Sequence, residues 1–210
     1  MSAPPILECR DIAFERDYTP IFSGLSFTLW RGQILQVKGA NGSGKTTLLR
    51  ILATSLTASQ GSMFWHGNDL EGHRQEYRFD MLYLGHQPGV KAALTPRENL
   101  AWLRPLHPKA GHDTNQALAA VGLAGMEDVP CHTLSAGQLR RVALARLYLS
   151  DASLWILDEP FTAIDRDGVG KLEILLQDHA QRGGAVVITT HQHPQLDNLC
   201  ELDMVRYGVS

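Results

Sequence analysis

Gly39-Ala40-Asn41-Gly42-Ser43-Gly44-Lys45-Thr46 fills every position of the pattern G-x-x-x-x-G-K-[ST]. Glycines at those positions let the backbone turn tightly and present its N–H groups to phosphate oxygens. The flanks agree with that use. Residues 33–37 form a β-prone run, and residues 46–56 place Leu48, Leu52 and Leu56 on one apolar helical face, flanked by Leu49 and Ile51. Strand, glycine loop and helix in that order put the positive end of a helix dipole against the bound anion. Lys45 is then placed to reach the β and γ phosphates and the Thr46 hydroxyl to bind Mg²⁺, with Thr47 closing the contact set. ATP and Mg²⁺ are the expected ligands.

A second stretch supplies the other half of such a site. In Leu154-Trp155-Ile156-Leu157-Asp158-Glu159, four apolar residues predict a buried strand that ends on two carboxylates. Asp158 emerges where it can hold the Mg²⁺ shell, and Glu159 is one residue further, placed to orient or deprotonate an attacking water. Two acidic residues that merely cap a strand leave unexplained why they follow so apolar a run in a chain with this loop.

The rest of the pattern predicts an α/β core interrupted by helices. Residues 6–14, 26–30, 61–66 and 81–84 read as short strands, and 185–190 as another buried one. Between residues 95 and 149 the character is helical, with helices starting at Pro96, Asn115 and Gly137, and residues 168–181 fit a crossover helix. With 210 residues, 44% of them hydrophobic and 20% charged, one globular domain is expected. The formal net charge of −3 gives no reason to expect nucleic acid. No apolar run reaches the roughly 18 residues of a membrane span, and Met1 to Arg10 lacks the form of a secretory signal. Cys9, Cys131 and Cys200 are odd in number and far apart, the pattern of reduced thiols.

Leu134-Ser135-Ala136-Gly137-Gln138 separates the two halves of the site and opens a helix that runs to Leu149. Ser135, the Gly137 N–H and that helix start form a second anion-binding feature. Here the chain resembles the ATP-binding-cassette (ABC) ATPases, whose signature is Leu-Ser-Gly-Gly-Gln in this place, with Ala136 standing for one glycine. The resemblance covers essentially the whole chain. It implies an α/β fold: a P-loop NTPase core of the ABC ATPase type with a small antiparallel β region and an inserted helical subdomain at about 88–150, in one nucleotide-binding domain over 1–210. It also implies roles for further residues. Gln87 senses Mg²⁺ and the attacking water, Ala163-Ile164-Asp165 crosses to an opposing protomer, and His191 contacts the γ-phosphate. Family members place an aromatic ring on adenine near the end of the first strand. Arg16 stands there, with Phe14 and Tyr18 as neighbours, and either Arg16 or Tyr18 can take that role. In this family the signature of one subunit closes over ATP held by another, so a second copy of the chain is implied.

A closer resemblance concerns what ATP drives. Leu154 to Asp165, Leu84-Gly85-His86-Gln87-Pro88-Gly89, Arg16 and the chain end soon after His191 are similar to the ATP-binding subunits of cytochrome c maturation systems. That family implies a peripheral subunit on the cytoplasmic face of the bacterial inner membrane, a membrane-embedded permease partner, and association with other cytochrome c maturation proteins. Haem export or release of a haem chaperone is the implied work. A soluble ABC ATPase of metal-cluster assembly, or a motor for another substrate, remains open. Cys131-His132 is not a haem-attachment motif, and His107-Pro108 and His193-Pro194 read as loop dipeptides, so direct haem binding is not expected. The segment from Gln87 to Leu94 is expected to pass force to a partner, although Val90 and Leu94 fit interior packing equally well.

Overall fold

The computed structural model describes residues 3–107 and 113–208. Its first half runs β1 (Leu7–Arg16), β2 (Thr19–Leu29), β3 (Ile34–Lys38), α1 (Lys45–Leu52), β4 (Gln60–Trp65), β5 (Asn68–Asp69), α2 (Arg74–Phe79) and β6 (Met81–Leu84). Helices α3 (Pro96–Ala101), α4 (Leu103–Leu106), α5 (Thr114–Ala120) and α6 (Ala136–Tyr148) follow. The chain returns through β7 (Leu154–Asp158), α7 (Arg166–Gln181), β8 (Ala185–Thr189) and β9 (Leu199–Asp203).

Alternation along β7 explains the layering. Leu154 and Ile156 join one apolar cluster with α1 and strands β1, β2 and β4, while Trp155 and Leu157 join another with α3, α5, α6 and α7. Both faces of the strand are therefore dry, which is why its sequence is apolar throughout. Each fully buried leucine or isoleucine in these clusters stabilises the fold by about 1.5–3 kcal/mol. The parallel sheet has the order β6-β7-β8-β3-β9, and the antiparallel sheet the order β2-β1-β4-β5. Helix α1 sits between them, burying Leu48, Leu49, Ile51 and Leu52.

Local chemistry sets the ends of the elements. Helices α3, α5 and α6 each begin with a capping box, Thr95 with Glu98, Asp113 with Gln116 and Ser135 with Gln138. Asp17 and Tyr18 both have positive φ and make the two-residue turn between β1 and β2, with Arg16 paired to Thr19.

Helix α1 ends at Leu52, short of the expected residue 56. Tyr77 donates its hydroxyl to the Leu52 carbonyl at 2.6 Å, and Arg78 holds Thr54, whose φ is +53°. Helix α2, which supplies both groups, is not evident in the sequence. Strand β9 likewise has no clear signal in the sequence. Its segment Leu199-Cys200-Glu201-Leu202-Asp203 carries two acids because it lies at the sheet edge, paired with β3 on one side and with no other strand among the described residues.

Candidate nucleotide-binding site

The parallel strands deliver the site at their carboxyl ends, where ligands of open α/β sheets bind. Register aligns Asp158 on β7 with Thr189 on β8, and Thr189 with Val37 on β3. The loop 39–44 leaves β3 one residue beyond Lys38, so loop and carboxylates meet in one cleft of about 560 Å³. Arg16, Asn41, Gly42, Gly44, Lys45, Thr46 and Thr47 line it, together with Asp158, Glu159 and His191.

Gly44 turns the chain into α1 with φ +92°. A Cβ there would come within 2.9 Å of the Phe22 ring, so both conformation and space require glycine. As N-cap it offers no side-chain acceptor, leaving the first-turn N–H groups of α1 to a ligand. The Lys45 ammonium donates to the carbonyls of Gly39 at 2.6 Å and Ala40 at 3.0 Å, across the loop it must serve. Ser43 Oγ is buried with no hydrogen-bond partner.

Asp158 is 2% exposed. Its Oδ1 accepts the Thr189 hydroxyl at 2.6 Å, while Oδ2 is buried without a partner. A buried carboxylate oxygen left unpaired is costly, and a hard cation with oxygen ligands fits it. Asp158 and Thr46 line the same cleft, so the donor set suits Mg²⁺.

Glu159 has φ +49°, unusual for a residue with a Cβ and costing on the order of 1–2 kcal/mol. Its N–H donates to Thr189 Oγ1 at 2.9 Å and its carbonyl accepts from Arg140 at 2.7 Å, which together hold that conformation. The carboxylate lies 3.6 Å from His191 Nε2 and is mostly shielded, whereas His191 is exposed. Gln87 is exposed and does not line the cleft; its neighbour His86 does.

The signature stands elsewhere on the surface of the same chain. None of Leu134, Ser135, Ala136, Gly137 and Gln138 lines the cleft. Ser135 Oγ accepts the Gln138 N–H at 3.2 Å, and Gln138 Oε1 accepts the Ser135 N–H at 2.8 Å. A Cβ on Gly137 would come within 3.0 Å of the Ala163 carbonyl, and Arg141 pairs with Asp165. Signature and the 163–165 loop thus form one surface.

Arg16 lines the cleft, whereas Tyr18 is 94% exposed on the turn beyond it. Cys131 is buried and its sulfur accepts from Asn99, while His107 is buried against Asp151 at 2.7 Å; Pro108 lies outside the described residues. His193-Pro194 sits in the loop after β8.

Two further residues shape the site without belonging to any motif. Thr189 reads in the sequence only as part of a buried strand, and the register that pairs it with Asp158 is what reveals its role. Arg140 is 4% exposed and shares a helix face with Ala143, Leu144 and Leu147, a charged residue on an apolar stripe.

Comparison with known proteins agrees with this geometry. Residues 22–162 match the family described as ABC transporter. The chain is 56% identical over 190 residues to a cytochrome c biogenesis ATP-binding export protein CcmA of Pseudomonas syringae pv. tomato, covering 90% of this chain and 89% of that one. It is 50% identical over 204 residues to the CcmA of Aliivibrio fischeri, covering 97% and 100%. Among solved structures, a putative ABC transporter ATP-binding protein from Pyrococcus furiosus superposes with a TM-score of 0.81 at 25% identity, over 97% of this chain and 99% of that one. A dimeric ATP-binding cassette bound to ADP and Pi gives 0.77 at 20% identity, over 89% and 88%, a likeness of fold. The chain therefore belongs to the ABC transporter family and, within it, to the family of cytochrome c biogenesis ATP-binding export proteins. No helix among the described residues is long and apolar enough to cross a membrane.

Proposed function

We propose that this chain is the ATP-hydrolysing subunit of a membrane export complex serving c-type cytochrome biogenesis. The observation that carries the ATPase reading is the buried, unpartnered Oδ2 of Asp158, a residue that lines the phosphate-loop cleft next to Glu159. The cytochrome c assignment is supported by the names of relatives that match nearly the full chain.

In this reading the loop N–H groups, Lys45 and the α1 N-terminus bind the β and γ phosphates. Thr46 and Asp158 would hold Mg²⁺, which when bound neutralises developing phosphate charge. Gln87, exposed one residue beyond the cleft-lining His86, would join them only through a movement of its loop. Glu159 takes the proton of the attacking water, and His191, beside it, contacts the γ-phosphate. Arg16 lines the cleft and stacks on adenine, the role for which Tyr18 is the alternative. We read residues 1–210 as one nucleotide-binding domain with its helical part at about 88–150.

The signature lies off the chain's own cleft, which supports a second copy closing over each nucleotide. The family supports a membrane-embedded permease partner, and our reading puts the pair at the cytoplasmic face of the inner membrane with the segment from Gln87 to Leu94 toward that partner. Two measurements test this. Purified protein must turn over ATP with Mg²⁺, and membranes of a deletion strain must lose haem-stained c-type cytochromes. Normal cytochrome amounts would sink the maturation assignment and leave the ATPase. Co-purification with membrane proteins separates a transporter motor from a cluster-assembly ATPase, and a Soret band in the pure chain would contradict the expectation of no bound haem.

A further inference from the structure

Arg140 belongs to the signature helix α6, yet its guanidinium reaches the catalytic end of the sheet. Nη1 donates to the Gly85 carbonyl at 3.1 Å, and Nη2 to the carbonyls of Asp158 at 3.0 Å and Glu159 at 2.7 Å. It forms no ion pair with either carboxylate, and its Nε is buried without a partner. Burial lowers the guanidinium's pKa, against the nearby charges of Asp158 and Glu159. Such a group is expensive as fold cement, because an apolar side chain of similar volume often stabilises as well. What an apolar residue cannot do is hold backbone carbonyls in place.

Those carbonyls are the ones that matter for geometry. The Glu159 carbonyl belongs to a residue with φ +49°, and a small change of that torsion re-aims its carboxylate. Gly85 begins the loop that carries His86 and Gln87, and the same helix grips the far end of that loop through Arg146 Nη2, 2.8 Å from the Gly89 carbonyl. One helix therefore fixes both ends of the loop 85–89 and the backbone of Glu159, and at its own start it presents Ser135.

We propose that Arg140 is a positioning residue for ATP hydrolysis, setting the Glu159 carboxylate according to where the signature helix stands. The proposal deepens the reading of Glu159 as base and rests on it. Through Arg140, a shift of α6 when Ser135 meets another copy's nucleotide reaches this chain's own Glu159. Each copy thus reports the state of one ATP to the machinery of the other.

The test compares Arg140→Gln, Arg140→Lys and Arg140→Met with the unmodified chain. ATP KM, kcat and thermal unfolding are measured for each, with Glu159→Gln as control. The expected result for Arg140→Gln is a kcat per active site lowered about 10- to 100-fold, with KM within about threefold and an unfolding temperature close to that of the unmodified chain. The unfolding temperature separates this from a folding defect, which lowers apparent kcat at constant KM through a smaller active fraction. Arg140→Lys, which keeps a donor for some of the carbonyls, should recover part of kcat, whereas Arg140→Met should not. A kcat within about twofold of the unmodified chain for Arg140→Gln and Arg140→Met would overturn the proposal. So would loss of KM and unfolding temperature in parallel with kcat, or failure of every variant to fold, since the role would then be structural. Full ATPase in the Glu159→Gln control would instead remove the base itself, a failure distinct from that of Arg140.

Discussion

Thr189 and Asp158 are joined by a 2.6 Å hydrogen bond at the ends of neighbouring parallel strands, and the same hydroxyl oxygen accepts the Glu159 N–H. One side chain thus orients the metal-binding carboxylate and fixes the backbone of the proposed base. Thr189→Val keeps the shape and removes both bonds. It is expected to cost about 1–3 kcal/mol of stability for the buried groups left unpaired. ATP turnover should fall at least about tenfold, and Thr189→Ser should restore most of it. Unfolding curves and steady-state ATPase check both parts.

Glu159→Gln should bind ATP with near-normal affinity and lose turnover by about 10²–10⁴-fold, about 3–5 kcal/mol of barrier. With bound ATP no longer consumed, a dimer should accumulate in size-exclusion chromatography. Near-normal ATPase would remove Glu159 from the role of base.

Gly44→Ala introduces a Cβ 2.9 Å from the Phe22 ring at a φ of +92°. The backbone cannot relax without disturbing the loop, so the change should cost about 1–3 kcal/mol and weaken ATP binding at least about tenfold. Unchanged ATP affinity in a titration would show that the loop tolerates the altered turn.

His179 stacks on Trp155 with ring centroids 3.7 Å apart and planes 9° from parallel. Burial pushes its pKa down from 6.5 to about 4, opposed by its hydrogen bond to the Ser153 carbonyl. The unfolded chain therefore binds a proton that the folded chain refuses. The associated stability is fully present above pH 6.5 and is lost as pH falls toward 4, by on the order of 3 kcal/mol. Denaturant unfolding between those pH values should show the slope, and His179→Phe, which keeps the stack, should flatten it.

The sequence discloses those parts of the fold whose cause is local. The phosphate loop needs glycines at fixed spacing, β7 needs an apolar run, and the starts of α3 and α6 carry their capping residues in the chain itself. Those elements lie within a residue or two of where the pattern puts them. Strand β9, helix α2 and the early end of α1 depend on partners far along the chain: β3 for the first, Tyr77 and Arg78 for the last. The same division runs through the site. Lys45, Asp158 and Glu159 announce themselves by motif and position, His191 by resemblance, and the cleft gathers them. Thr189 and Arg140 act through backbone groups that only strand register and helix packing bring near. Gln87 is the reverse case, named by resemblance while its neighbour His86 lines the cleft.

The unpaired Asp158 Oδ2 also has a thermodynamic consequence. A fold that buries a negative oxygen without a partner carries, in its resting form, a penalty that its ligand relieves. Loading with metal and nucleotide should then act as a folding cofactor, raising stability by about 2.7 kcal/mol at a ligand concentration of 100 Kd. For a chain of this length that corresponds to a rise of roughly 5–11 °C in melting temperature. Cellular lifetime of the subunit would follow the supply of its own fuel.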